Sequence, residues 1–124
     1  MDIEKQIQYW RESAIDDIES VEALLKIKKI NQGLFFAHLS LEKALKAIVC
    51  RETGEHPPYT HNLERLAQLT KMELTEEQIH ILAEVSPYNL RGRYSIPATP
   101  LLSIKRAREI TSEVRKLVKW LNKK

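Results

Sequence analysis

Cysteine is nearly missing from this chain of 124 residues, where Cys50 stands alone. One thiol excludes an intrachain disulfide and any cysteine-based metal cluster, and cytoplasm is the expected compartment. Glycine is almost as scarce, with only Gly33, Gly54 and Gly92, so the breaks between elements are sharply marked. No apolar run approaches the roughly 18–20 residues that cross a bilayer. The start, Met1-Asp2-Ile3-Glu4-Lys5, lacks the basic-then-apolar build of a secretory signal. GxGxxG, P-loop and HExxH patterns are absent. The four histidines, His38, His56, His61 and His80, fit no common zinc spacing, so neither metal nor cofactor is expected. Strand alternation and internal repeats are missing too.

What remains is helical. With 43% hydrophobic and 30% charged residues, the chain suits one globular domain over residues 1–124. Ile3, Ile7, Trp10, Ala14, Ile18, Val21 and Leu25 step by three or four, which predicts a helix from about Asp2 to Lys29. Asn31-Gln32-Gly33 reads as the turn, and a second helix as running from about Leu34 to Glu52. That helix is apolar on most sides, so it is central or faces a second subunit, and a homodimer is expected. Its polar strip holds His38, Glu42 and Lys46 at steps of four, with Lys43 beside it. Glu42 and Lys46 have the favourable i,i+4 order.

Pro57-Pro58 forbids helix, and Thr60 or His61 opens a short one carrying Leu63, Leu66, Ala67 and Leu69. Thr75-Glu76-Glu77-Gln78 reads as a capping box before a further helix. Ser86 to Leu102 is the one long irregular stretch, a kind of segment that often carries function. Ser103 caps the last helix, whose stripe runs from Ile104 to Leu121. The fold class is therefore all-α, an antiparallel up-and-down bundle of four to five helices.

Charge is uneven. Acids dominate from Met1 to Leu25 and bases dominate from Ser86 onward. A basic end can attract phosphates. The same pattern also arises when the first and last helices are oppositely charged neighbours. Arg91-Gly92-Arg93-Tyr94 suits phosphate or base contact, or else pins the loop through a salt bridge and a packed ring. His61 can cap its helix, fix the loop, or reach across to the second helix. Cys50 could pair with His61 as a nucleophile, but its apolar run reads as inert packing.

These segments resemble the HEPN domain family, named for higher eukaryotes and prokaryotes nucleotide-binding. Tyr9-Trp10 lies on the opening helix. Phe35-Phe36-Ala37-His38 leads into Leu41-Glu42-Lys43-Ala44-Leu45-Lys46-Ala47, like the family's glutamate-lysine-alanine-leucine-lysine run. Thr60-His61-Asn62-Leu63 resembles the family's threonine-histidine-aspartate-leucine start, and Arg93-Tyr94 precedes the last helix. The resemblance spans nearly the whole chain. It implies a helical bundle that forms homodimers, with a minimal nucleotidyltransferase as partner in a toxin–antitoxin-like pair.

Nuclease members of the family carry arginine, four to six residues, then histidine, near the start of the last helix. Here Arg91, Arg93, Arg106 and Arg108 lie in that region, yet no histidine follows His80. Arg51 and His56 meet the bare spacing in the wrong element. The expected function is therefore a non-catalytic dimer that binds nucleotide or RNA phosphate through the basic loop and last helix. Its expected contacts are Arg91, Arg93, Tyr94, Lys43, Lys46 and His61. One rival is a metal-independent RNase with His61 or His56 as base and arginine, Arg51 included, stabilising charge. Another is a protein-interaction module with no nucleic-acid role.

Overall fold

A computed structural model describes residues 2–91 and 102–124, and every element in them is α-helical. The helices are α1 (Ile3–Lys26), α2 (Ile30–Thr53), α3 (Leu63–Gln68), α4 (Glu76–Val85), α5 (Tyr88–Arg91) and α6 (Ile104–Asn122). This is the helical bundle the sequence predicts. Its one addition is the short α5, inside the stretch expected to be irregular.

The turn between α1 and α2 is not where the glycine placed it. It falls at Ile27–Lys29, and Gly33 lies inside α2. Lys28 takes φ 60°, its N–H bonds to Leu25 O, and the Lys29 N–H bonds to Leu24 O. That pair of bonds is a Schellman stop, built here on lysine where glycine is usual. Gly33 has a different task. A Cβ there would meet Leu25 Cδ2 at 3.0 Å, so the missing side chain lets the end of α1 settle against α2.

Other ends follow local chemistry. Asn62, not Thr60 or His61, is the N-cap of α3, and its Oδ1 accepts from the Arg65 N–H at 2.9 Å. His61 thus stays in the extended chain ahead of the helix. Thr75 and Gln78 exchange the two bonds of a capping box at the start of α4. Ser103 Oγ accepts from the Arg106 N–H and opens α6.

The core is organised around α2, against which α1, α3, α4, α5 and α6 all pack. Leu34, Leu41, Leu45 and Ile48 are fully buried along it. Its all-round apolarity is therefore satisfied within one protomer, and that apolarity no longer argues for a second subunit. The oppositely charged first and last helices are neighbours, joined by an Arg115–Glu22 ion pair. No described helix is long and apolar enough to cross a membrane.

A candidate polar site around Glu42 and His61

Glu42 sits at the middle of α2 and is only 4% exposed. A carboxylate so placed needs charged or hydrogen-bonding partners to offset its lost hydration. Helical spacing supplies two, one turn to either side. Lys46 Nζ lies 3.1 Å from Glu42 Oε2, and His38 Nδ1 lies 3.8 Å from Oε1. The third partner comes from a distant part of the chain. His61, in the extended segment before α3, brings Nδ1 to 3.0 Å from Glu42 Oε1.

That contact fixes the imidazole. With Glu42 ionised, Nδ1 carries the proton and donates, so Nε2 of the neutral ring is an acceptor. In the imidazolium both nitrogens donate. The His61 side chain is 34% exposed and lines an open cavity of about 310 Å³. The other walls are His38 from α2, Asn62 and Glu64 at the start of α3, and Ser86, Pro87 and Asn89 around the start of α5. The Tyr59 ring meets the His61 ring edge-on, with centroids 5.6 Å apart, and is almost wholly exposed. The site thus combines an oriented imidazole, side-chain amides, a Ser86 hydroxyl that gives its proton to Leu82 O and so can only accept, and an aromatic face available for stacking. Such groups can hold a phosphate oxygen, a sugar hydroxyl or a base, and Nε2 can accept or give a proton.

The structure separates the residues expected to bind phosphate. His61 is at the cavity. Lys46 turns inward to Glu42 and also stands over the Trp10 ring, 5.4 Å from its centroid. Lys43 bonds to Asp17 at 2.9 Å and to Ser13 Oγ at 2.8 Å, tying α2 to α1. Burial pushes the Asp17 carboxyl above its ordinary range, against the opposing pull of Lys43. Both ammonium groups are thus engaged inside the bundle. Arg91 closes α5, while Arg93 and Tyr94 lie outside the described residues. Arg51 and His56 are exposed near the end of α2, and neither lines the cavity.

Cys50 is buried with Ile7 and Ala47, and burial raises its thiol pKa. Among the described residues no group of three or more His, Cys, Asp or Glu is placed to hold a metal ion. His38 and Tyr59 are site residues that the sequence reading does not select. The step of four from His38 to Glu42 is a signal for the first. An aromatic after two prolines, held in a bend beside His61, is a weaker one for the second.

The family model for the HEPN domain matches residues 7–124. The crystal structure of TT1696 from Thermus thermophilus is similar over 95% of this chain and 97% of that one. Its TM-score is 0.83 at 18% sequence identity, a likeness of fold. No curated protein matches the chain.

Proposed function

The chain belongs to the HEPN domain family, and on that premise we propose that it is a non-catalytic binding partner that takes nucleotide or RNA phosphate at the His61 cavity. It would act as a homodimer beside a minimal nucleotidyltransferase protein, in a two-component, toxin–antitoxin-like pair. The observation that carries the binding reading is the Glu42–His61 contact, which holds one imidazole nitrogen and leaves the other for a ligand. Asn62, Ser86 and Asn89 add polar side chains around the same space, and the exposed Tyr59 adds a stacking surface. Glu64 is the one acid on the wall. It disfavours phosphate on its own side and suits amino or hydroxyl groups there. Asn89 lies in α5, two residues before Arg91. Arg91, Arg93 and Tyr94 are further proposed contacts. Lys46 supports the ligand indirectly, by pairing with Glu42 and holding it in place, and Lys43 fixes the α1–α2 register.

A second reading is favoured by one feature. A carboxylate orienting an imidazole is also the arrangement of a general base, so His61 could activate a ribose hydroxyl in a metal-independent RNase. The variant His61→Asn tests both, because an asparagine amide can still donate to Glu42 while Nε2 is lost. Its melting temperature should stay near that of the wild type. Nucleotide and RNA binding should fall by roughly ten- to a hundredfold, the loss of one charge-assisted hydrogen bond. In buffer with chelator the wild type should leave RNA intact. RNA cleavage in chelator that His61→Asn abolishes would overturn the non-catalytic reading in favour of the nuclease. Undiminished binding would remove His61 from the site. For the dimer, sedimentation at micromolar concentration should give a species of twice the chain mass, and a monomer alone would contradict it.

A further inference from the structure

Helices α3 and α4 both pack on α2 but touch each other little, and a cleft of about 290 Å³ opens between them. Ala67 and Gln68 of α3, Met72 and Leu74 of the link, and Ile79 and Leu82 of α4 line it together with Glu64. Leu82 is buried, Ala67, Met72 and Leu74 are half-buried against the core, and Ile79 is 49% exposed. Apolar side chains gathered in a concavity, rather than scattered, mark an interaction site. The cleft is also held in shape. Glu52 of α2 accepts from the Lys71 N–H at 2.8 Å, the Thr70 hydroxyl donates to Ala67 O, and the capping box fixes Thr75 at the start of α4. A guest therefore has little backbone to order on binding.

Charge around the cleft says what the guest carries. Glu64 lines it, Glu73 stands between Met72 and Leu74, and Glu76 precedes Ile79 by three residues, on the same face of α4. All three are exposed, and among the described residues none of them is in an ion pair. Arg65 and Lys71 are the nearby bases, and neither lines the cleft. Such acids repel phosphate and attract ammonium and guanidinium groups. The volume suits side chains. An apolar cavity of roughly 150 Å³ holds a benzene, so this cleft takes about two groups of that size. Side chains three or four apart on a helix stand about 5–6 Å from each other, and an amphipathic helix anchors in a groove by such pairs. A second copy of the chain offers no helix of this kind, because Ala107, Ile110, Val114 and Leu117 of the basic α6 face its own core.

We propose that the α3–α4 cleft is the docking site for a basic amphipathic helix of a partner protein. That helix seats two apolar side chains, one turn apart, against Met72, Leu74, Ile79 and Leu82, and sets lysines or arginines against Glu73 and Glu76. The docking does not depend on which ligand the His61 cavity takes.

The test uses labelled helical peptides and the full chain, with binding followed by fluorescence anisotropy. The first peptide carries two leucines four residues apart among lysines. In the second those leucines are alanine, and in the third the lysines are glutamate. The first should bind saturably, and the other two more weakly by roughly tenfold or more. Ile79→Lys should weaken the first peptide by roughly tenfold while keeping the wild-type melting temperature, because the side chain is half exposed. Glu73→Gln/Glu76→Gln should weaken it and flatten its salt dependence, and leaves untouched Glu64, which also lines the His61 cavity. Glu19→Gln, at an exposed position on α1, and His61→Asn should bind it like the wild type. An alanine or glutamate peptide that binds as tightly as the first would overturn the docking site, as would full binding by both cleft variants or no saturation below about 1 mM. The exposed Ile27 lies among Lys26, Lys28 and Lys29. Self-association in sedimentation that both Ile27→Asp and Ile79→Lys abolish would give the cleft to that turn of a second copy and overturn the partner helix.

Discussion

Glu42→Ala is expected to lower the melting temperature by roughly 12–20 °C. Removing one partner of a buried ion pair costs about 3–5 kcal/mol, and a chain of this length loses about 4 °C per kcal/mol. The cost arises from what is left behind. Lys46 is itself buried, at 6% exposure, and would be left there with no carboxylate beside it. His61 would lose the acceptor that fixes its ring. The double variant Glu42→Gln/Lys46→Met provides the discriminating comparison. It removes both charges, leaves no unpaired ion, and should melt well above Glu42→Ala. A loss below about 4 °C for Glu42→Ala would mean that water reaches the carboxylate and that the site is not built as described. Binding should fall most in Glu42→Ala, which removes the acceptor that orients His61, because the amide oxygen introduced by Glu42→Gln can still accept from Nδ1.

Leu41→Ala should be the other severe change, about 2–5 kcal/mol, from lost transfer energy and the cavity left in a close-packed core. Leu41 is fully buried on α2, one position before Glu42. Ile79, half exposed on α4, is the control. Its replacement by alanine should move stability by no more than about 0.5 kcal/mol. The drop for Leu41→Ala should be the same at low and high protein concentration, since α2 is covered by helices of its own protomer. A drop that deepens on dilution would show that a second subunit completes the core around α2.

Features legible in the sequence are those decided within a few residues. The capping box at Thr75, the cap at Ser103 and the Glu42–Lys46 pair each depend on spacings of three or four, and each is present. The turn between α1 and α2 is harder to place because glycine has two uses. Gly33 reads as freedom to turn, whereas it serves close packing against Leu25, and the left-handed position falls to Lys28. Asn62 displaces Thr60 and His61 as the cap of α3 because its side chain reaches the Arg65 N–H. Lys43 looks like a free cation in the sequence, since nothing local shows that α1 brings Asp17 against it. The reach of His61 to the second helix is one of three alternatives the sequence leaves open. Its choice of Glu42 depends on how α3 packs on α2, which no local pattern contains.

The short link between α1 and α2 also bears on the order in which the molecule assembles. The two helices share a large interface and are joined by three residues, so closing them together costs little chain entropy. Their hairpin can nucleate while the rest of the chain is still open, and α6, far along the sequence, docks onto a surface already made. The Lys43–Asp17 and Lys46–Glu42 pairs lie entirely within that hairpin. His61 does not, and it arrives only with α3. Before then Glu42 has only Lys46 and His38, its neighbours on its own helix. The His61 cavity is thus among the last parts of the molecule to close, and its imidazole is seated when α3 packs onto α2.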